Sequence, residues 1–218
     1  MEKTGIIITG STGYLGSKLI SKLKPNEVLT VRRNAIQKKS IVFHDTLGNL
    51  IEEKDKNFEN YIVIHLATYF SKDNTKKQAI YETNINFGQD LLESIENLNI
   101  KKIIYTNTMF NFYKEENIRS LEYTKSKNIF GKILEKHANE NNIKLDQIYL
   151  DNTFGGLDKR QKIIQVIVES IKEKTGNPVN QKKRFINLVY FQDIIDRILI
   201  STKSKISGNS CFINEVSV

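Results

Sequence analysis

A glycine-punctuated turn directly after an apolar strand is the feature that most constrains this fold. Residues 5–9 (GIIIT) form a short β-branched run, which is followed by Thr9-Gly10-Ser11-Thr12-Gly13-Tyr14-Leu15-Gly16. Gly10 lets the chain turn sharply, Gly13 lets backbone N–H groups approach a diphosphate, and Gly16 lets the next helix pack closely on the sheet. The turn therefore predicts a strand–turn–helix unit that holds a dinucleotide diphosphate at a helix N-terminus.

Apolar runs alternate with longer helical patterns along the rest of the chain, which is typical of a parallel sheet covered by helices. The predicted fold class is α/β, a Rossmann-type doubly wound parallel sheet with a small C-terminal substrate lobe. Strands are predicted at 27–31, 41–43, 61–67, 101–106, 144–150, in FINLVY and in SCFIN. Helices are predicted at about 14–23, 76–98, 123–141, 163–171 and 192–202, with a short one in LGNLIEEK.

The length of 218 residues is enough for a single domain. The strand–helix alternation weakens after Asp151. We therefore expect residues 1–150 to form a cofactor-binding core and about 151–218 to form a reduced substrate lobe interleaved with it.

Composition excludes several other classes of protein. The net charge is +8, but the lysines are scattered among acids, as in KSKNIFGKILEKHANE, so a nucleic-acid partner is not expected. The sequence has no apolar run of bilayer-spanning length, no secretion signal is expected, and the single cysteine, Cys211, suits a reducing cytoplasm. The three histidines form no hydrolase triad pattern, and Cys, His and acidic residues show no metal-ligand spacing, so no metal is expected.

The end of the second predicted strand indicates which nicotinamide cofactor is used. An acid at this place binds the ribose hydroxyls of NAD, whereas arginine accommodates the 2′-phosphate of NADP. The sequence has no acid there and instead has Arg32 and Arg33. Because a guanidinium matches a phosphate in charge and geometry, these residues favour NADP(H).

A tyrosine and a lysine at the start of the second long helix could move a proton. Tyr123 and Lys127 are four residues apart and so share a helix face. A nearby ammonium stabilises a phenolate and lowers the pKa of the phenol, which makes tyrosine a usable acid near neutral pH. Thr108 ends a predicted core strand, where its hydroxyl could hydrogen-bond a substrate oxygen.

Together these motifs resemble the extended short-chain dehydrogenases/reductases, the nucleotide-sugar epimerase/dehydratase/reductase family. The turn from Thr9 to Gly16 is similar to the family's TGxxGxxG motif, and Tyr123 and Lys127 match its YxxxK pair. The further matches are His65-Leu66-Ala67-Thr68, Asn84 in an N-x-x-x-G segment, Thr106-Asn107-Thr108, Asn152 in an N-x-Y-G segment, and Asp193 near a late helix start.

The resemblance implies a role for each matched residue. The glycine turn, the His65–Thr68 segment, Asn84, Tyr123 and Lys127 would line the cofactor. Thr108, Tyr123 and Lys127 would be catalytic, and Thr108 and Asn152 would contact the substrate. It also implies a homodimer formed through the two long helices.

Among the subfamilies, HLATYF and YTNTMF look most like reductases of CDP- or dTDP-linked 4-keto-deoxysugars, such as CDP-abequose and CDP-paratose synthases. The sequence departs from the family where Tyr149 stands in place of the usual arginine and Phe154 in place of a tyrosine. Two alternatives remain open: a nucleotide-sugar 4-epimerase that keeps NAD bound, and an NADP-binding regulatory protein without catalysis.

Overall fold

A computed structural model describes residues 3–32, 36–37, 40–51, 58–156, 163–173, 185–213 and 215–217. Eight strands form the main sheet in the order β12-β9-β8-β7-β1-β2-β5-β6. Their bounds are β1 Thr4–Thr9, β2 Val28–Val31, β5 Phe43–His44, β6 Leu50–Ile51, β7 Asn60–His65, β8 Ile100–Thr108, β9 Lys144–Leu150 and β12 Gly208–Cys211. The predicted Rossmann-type α/β fold is confirmed.

The third predicted strand differs from the expectation of a wholly parallel sheet. Strands β12 to β2 in the sheet order are paired in parallel, but β5 pairs antiparallel with β2 through Thr30 and His44. Strand β6 then pairs antiparallel with β5. The short helix expected in LGNLIEEK is absent from its described residues 47–51, because residues 45–49 form the turn of this hairpin and β6 follows.

Helices cover both faces of the main sheet. The helices are α1 Tyr14–Ile20, α2 Lys77–Tyr81, α3 Phe87–Ser94, α4 Glu116–Arg119, α5 Glu122–Glu140, α6 Ile163–Glu173 and α7 Phe191–Lys203. On one face, Leu91 of α3 and Phe130 of α5 are buried in one apolar cluster with residues of the sheet. On the other face, Leu19 of α1 and Ile194 of α7 belong to a second cluster. The sheet is therefore doubly wound.

The predicted long helix over 76–98 is interrupted. A π-helical segment, Glu82–Asn86, separates α2 from α3. Short 3₁₀ segments lie elsewhere, at Pro25–Glu27, Asn74–Lys76 and Met109–Phe112. A π turn adds one residue to a helical turn and is frequently found at functional sites.

The C-terminal part contributes to both the main sheet and a smaller one. Helix α7 packs on the main sheet and β12 extends it. Three short strands, β10 Asn152–Phe154, β11 Phe185–Tyr190 and β13 Glu215–Ser217, form a separate sheet. A two-stranded hairpin of β3 Ile36–Gln37 and β4 Ser40–Ile41 completes the strands of the described residues. The division into a cofactor core and a substrate lobe remains a prediction.

A buried ion pair ties the edge strand β12 to the sheet. Lys102 Nζ lies 3.3 Å from Asp146 Oδ2 and donates to the carbonyl oxygens of Ser201, Ser204 and Ile206 at 3.0 Å each. Asp146 also accepts hydrogen bonds from the Ser201 hydroxyl and, at 2.8 Å, from the Gly208 N–H. The pair fixes the chain between α7 and β12.

Candidate active site

The predicted site residues follow the carboxyl ends of neighbouring parallel strands. Thr9 of β1 is in register with His65 of β7, and His65 with Tyr105 of β8. Thr108, three residues further along β8, is in register with Leu150 of β9. The segments after these strands therefore meet at one edge of the sheet, which we call the carboxyl edge and which is where open α/β sheets bind ligands.

The glycine turn has a backbone that only glycine fits at two positions. Gly10 has a φ of 70°, and a Cβ there would lie 2.6 Å from the backbone nitrogen of Ala67. A Cβ on Gly16 would lie 2.1 Å from the Gly10 carbonyl oxygen, so the bare Cα of Gly16 lets α1 pack closely against the turn at the end of β1. The Gly13 N–H donates to the same oxygen at 3.0 Å. Thr12 and Gly13 remain exposed, which leaves their backbone accessible to a diphosphate.

Tyr14 joins the first helix to the C-terminal part of the chain. Its hydroxyl donates to the Gly155 carbonyl oxygen, and its ring lies edge-on to Phe191 at 6.1 Å. The Nζ of Lys18 lies 4.6 Å from the Phe191 ring centroid. Leu15 is half-buried and packs against the second apolar cluster, which contains Leu19 and Ile194. Tyr14 and Leu15 thus pack against the protein through their side chains, and any contact with a cofactor would come from the backbone of the turn.

His65 is placed differently from the role that the resemblance implied. Its ring is 1% exposed, with the centroids of Phe87, Tyr105 and Phe130 within 5.1–6.1 Å, and its Nδ1 is hydrogen bonded to Thr9 Oγ1 at 2.9 Å. Burial, and secondarily the Lys127 ammonium, lower the pKa of His65 to about 3. The imidazole is therefore a neutral core group bonded to the residue before the glycine turn, and the lining of the cofactor by the His65–Thr68 segment stays a prediction.

The rest of the His65–Thr68 segment is hydrogen bonded to Thr9, the residue at which the glycine turn begins. The Leu66 N–H donates to the Thr9 carbonyl oxygen at 3.2 Å, and the Ala67 N–H donates to Thr9 Oγ1 at 3.3 Å. Leu66 and Ala67 are nearly buried, whereas Thr68 is exposed at the carboxyl edge.

Asn84 is a bridge between segments. It lies in the π-helical segment, is 1% exposed, and its Oδ1 accepts from the Tyr69 N–H at 2.7 Å and the Thr68 hydroxyl at 3.2 Å. Its Nδ2 donates to the Tyr69 carbonyl oxygen at 3.1 Å and to Ser126 Oγ at 2.9 Å. Both polar atoms of its amide are thus engaged by the protein, so direct cofactor binding by this side chain is not what the geometry favours.

Tyr123 and Lys127 lie on one face of α5 at the carboxyl edge. Lys127 is 2% exposed, and burial lowers its pKa to about 7. Tyr123 is half-buried, with its ring edge-on to Phe70 at 4.8 Å and to Phe110 at 6.3 Å. Lys127 is near His65, since both lie against the Tyr105 ring, and His65 is hydrogen bonded to Thr9, the residue before Gly10.

Thr108 is held at the end of β8 by a polar network that sequence patterns do not reveal. Its Oγ1 accepts from the Phe110 N–H at 3.3 Å, and its own N–H donates to Asn107 Oδ1 at 2.8 Å. Asn107 Nδ2 donates to Gln147 Oε1 at 2.8 Å, and Gln147 Nε2 donates to Glu135 Oε1 at 2.6 Å. This chain links β8, β9 and α5, and so positions the catalytic candidate Thr108 relative to Tyr123.

Asn152 belongs to a second polar group that was missed at the sequence level. Its Nδ2 donates to Asp151 Oδ1 at 2.8 Å and to the Asn187 carbonyl oxygen at 3.3 Å. Asp151 Oδ2 accepts from the Tyr113 hydroxyl at 2.6 Å, while burial raises the pKa of Asp151. Two acceptors thus engage the amide nitrogen of Asn152, and its contact with a substrate remains a prediction. A tyrosine and an aspartate 38 residues apart give no sequence signal.

Ser11 of the glycine turn is nearly buried, whereas Arg32 and Asp193 lie on the surface. Arg32 is exposed directly after β2, with its guanidinium against Gly48 of the hairpin turn. Arg33 lies outside the described residues. Asp193 is exposed in the first turn of α7. No cluster of three potential metal ligands occurs among the described residues, and none of the helices in that part of the chain is long and apolar enough to cross a bilayer.

Comparison with known proteins identifies the family. The model of the NAD dependent epimerase/dehydratase family matches residues 6–209, which is most of the chain. The protein belongs to this family. As a member of it, the protein is an NAD(P)-dependent enzyme of the short-chain dehydrogenase/reductase type, and the resemblance inferred from the sequence motifs is confirmed.

The relatives that this family enzyme is similar to act on nucleotide sugars. It is 22% identical over 202 residues to a CDP-abequose synthase of Salmonella muenchen, covering 89% of this chain and 68% of that protein. It is 24% identical over 213 residues to a CDP-abequose synthase of Yersinia pseudotuberculosis, covering 91% and 73%.

Solved structures agree on the fold. The UDP-glucose 4-epimerase of Thermotoga maritima superposes with a TM-score of 0.74 at 19% identity, over 98% of this chain and 78% of that one. The UDP-glucuronic acid 4-epimerase of Bacillus cereus, in complex with UDP-glucuronic acid and NAD, gives 0.75 at 16% identity, over 98% and 79%.

Proposed function

We propose that this enzyme is an NADPH-dependent reductase of a nucleotide-activated 4-keto-deoxyhexose, most similar in task to the CDP-abequose synthases. The observation that carries the proposal is the buried Lys127, one helical turn from Tyr123 and within electrostatic reach of His65 beneath the glycine turn. A CDP- or dTDP-linked sugar is the proposed substrate.

The residues at the carboxyl edge fit a nicotinamide dinucleotide. The turn from Gly10 to Gly16 would hold the diphosphate, since Gly10 has a left-handed backbone and Thr12 and Gly13 are exposed. Arg32 and Arg33 would bind a 2′-phosphate, which favours NADP(H) over NAD. When bound, the reduced cofactor supplies a hydride to the carbonyl carbon of the substrate.

The protein's own residues supply the proton and stabilise charge. Tyr123 would donate its phenolic proton to the carbonyl oxygen, and the Lys127 ammonium would stabilise the phenolate that remains. Thr108 would donate a hydrogen bond to the same oxygen. Hydride and proton together convert the 4-keto group to a secondary alcohol, NADPH becomes NADP⁺, and the phenolate is reprotonated from solvent.

Oxidation of NADPH in the presence of a CDP- or dTDP-4-keto-deoxysugar tests the proposal. We expect Tyr123→Phe to lower kcat by about 10²- to 10⁴-fold, the usual contribution of a positioned general acid. Tyr61→Phe is the matched control, because Tyr61 is a buried tyrosine near the other end of the sheet. A Tyr123→Phe enzyme with the full rate would contradict the assignment.

A nucleotide-sugar 4-epimerase is the second candidate, favoured by the likeness in fold to two 4-epimerases, one of them solved with NAD. Such an enzyme would purify with NAD and would interconvert sugars without net consumption of the cofactor.

NADP binding without turnover of any keto sugar would instead indicate a regulatory protein. Dimerisation through the helices of 76–98 and 123–141 is part of the proposal and can be measured by sedimentation.

A further inference from the structure

The turn of the β5–β6 hairpin, residues 45–49, is bound directly to the end of β2. Thr30 of β2 is in register with His44 of β5. The Thr30 hydroxyl lies 3.2 Å from the carbonyl oxygens of both His44 and Asp45 and donates to them. The hairpin turn is therefore fixed relative to Arg32, which follows Thr30 by two residues.

Asp45 gives this turn a defined shape. Its Oδ1 accepts from the N–H groups of Leu47, Gly48 and Asn49 at 2.7–2.8 Å, and its Oδ2 accepts from Asn49 Nδ2 at 2.8 Å. These bonds, led by the one from the Asn49 side chain, lower the pKa of Asp45. The carboxylate that organises the turn is thus engaged by the turn's own donors over the ordinary pH range.

Gly48 is the point at which the turn contacts Arg32. A Cβ on Gly48 would lie 2.2 Å from Arg32 Nη2 and 3.3 Å from Cζ, so the guanidinium rests on the bare Cα of the glycine. Gly48 also has a φ of 96°, which L residues rarely adopt. Any side chain at this position would have to displace the guanidinium.

We propose that the 45–49 turn is a positioning element for Arg32, and that Gly48 is a specificity-determining residue for NADP over NAD. This inference rests on the proposed use of NADP. An arginine side chain loses rotamer freedom when it binds a phosphate. A contact surface that already holds the guanidinium in place before binding reduces that loss. Because the guanidinium recognises only the 2′-phosphate, its contact with Gly48 would affect the binding of NADPH and not that of NADH.

Calorimetric titration with NADPH and NADH tests the inference. For Gly48→Ala we expect the Kd of NADPH to rise about tenfold while that of NADH changes less than about twofold. In an Arg32→Ala background, Gly48→Ala should have no further effect on NADPH, because the effect acts through the guanidinium. Gly48→Asn, which tolerates a left-handed backbone better than alanine, tests the same contact with less strain.

Two controls separate positioning from general damage. Leu47→Ala removes an 86% exposed side chain from the same turn, and Gly208→Ala strains a glycine of positive φ that has open space around it. Both should keep the wild-type ratio of NADPH to NADH affinity. An unchanged ratio in both Gly48 variants, or an equal loss of both cofactors, would overturn the inference. A wild-type protein that binds NADH as tightly as NADPH would instead refute the proposed cofactor choice.

Discussion

The Nζ of Lys127 lies 4.1 Å from the centroid of the Tyr105 ring, and the Tyr105 hydroxyl donates to the Lys127 carbonyl oxygen at 3.3 Å. The face of an aromatic ring favours a cation, whereas burial disfavours one. Burial prevails, and the pKa of Lys127 falls to about 7. The Lys127 ammonium of the proposed proton-transfer site therefore titrates near neutrality.

Lys127→Met should stabilise the cofactor-free protein at neutral and lower pH. The folded pKa of about 7 lies below the ordinary lysine value of 10.5, so between these values the unfolded chain binds the additional proton. The cost of burying the ammonium is fully present below about pH 7 and disappears as the pH approaches 10.5. We expect a gain of roughly 2–5 kcal/mol near pH 6.5 that vanishes at high pH, measured by urea unfolding. Exposed Lys101→Met is the control, and an equal gain there would contradict the prediction.

The pH profile of kcat/KM should show the same group in catalysis. If reduction requires the ammonium, kcat/KM falls as the pH rises through about 7, the pKa of Lys127 in the free enzyme. In Lys127→Arg the guanidinium stays charged, so this fall should be absent although the overall rate is lower. The measurement is NADPH oxidation at subsaturating keto sugar; a fall at the same pH in both enzymes would assign the titration to another group.

Asn84→Ala should impair both stability and turnover. The substitution leaves the Tyr69 N–H and carbonyl groups and the Ser126 hydroxyl without their partner. We expect a loss of about 2–4 kcal/mol in the free energy of unfolding, because buried polar groups are left unsatisfied. Since Ser126 in turn donates to the Tyr123 carbonyl oxygen, kcat should also fall.

The matched control for Asn84 is Asn99→Ala. Asn99 Nδ2 donates to the Glu59 carbonyl oxygen and to Asn60 Oδ1, before the start of β8 and far along the sheet from Thr108. Its loss should lower stability without lowering kcat per folded enzyme. Equal kcat values for the two variants would show that Asn84 has no role in positioning α5.

Tyr14→Phe should separate substrate binding from cofactor binding. The ring contact with Phe191 remains, but the bond to the Gly155 carbonyl oxygen is lost, at a cost of about 1 kcal/mol. Because Gly155 directly follows β10, which begins at Asn152, we expect the KM for the nucleotide sugar to rise while the Kd of NADPH stays constant. Steady-state kinetics with calorimetry decides this. Ser21→Ala, which removes an exposed hydroxyl just after the end of α1, is the control and should change neither the KM nor the Kd.

Lys102→Met should loosen the β12 edge of the sheet. It leaves Asp146, which is 1% exposed, as a buried carboxylate without its ammonium. Breaking a buried pair in this way costs about 3–5 kcal/mol. Hydrogen exchange of the amides of Gly208–Cys211 should accelerate more than that of β1. Lys144→Met removes an exposed amine bonded to the Lys205 carbonyl oxygen. This control should change neither the free energy of unfolding nor the hydrogen exchange of Gly208–Cys211.

Periodicity predicts the regular elements well because burial repeats along the chain. Strand β9 has the predicted bounds, and α5 differs from its prediction by one residue at each end. The sequence predicts a short helix in LGNLIEEK instead of the 45–49 turn, because the shape of the turn depends on one carboxylate, Asp45, and a positive φ at Gly48. The π-helical segment within 76–98 also escaped prediction, because one extra residue in a turn barely alters an apolar pattern.

Motifs identify site residues but do not say where their side chains point. His65 and Asn84 occupy the motif positions, yet the first is buried in an aromatic cluster and the second bridges two segments. Tyr113 and Asp151 have no motif, and only the folded chain brings them within 2.6 Å. Such relationships depend on tertiary contacts between distant segments, which a pattern within one segment does not encode.

The hydrogen bond between the Gly13 N–H and the Gly10 carbonyl oxygen, with Gly16 against that same oxygen, has a kinetic consequence. Contacts internal to the polypeptide already give this turn its conformation, so little freedom is lost when a dinucleotide arrives. Association should then proceed in one exponential phase whose rate increases linearly with ligand concentration.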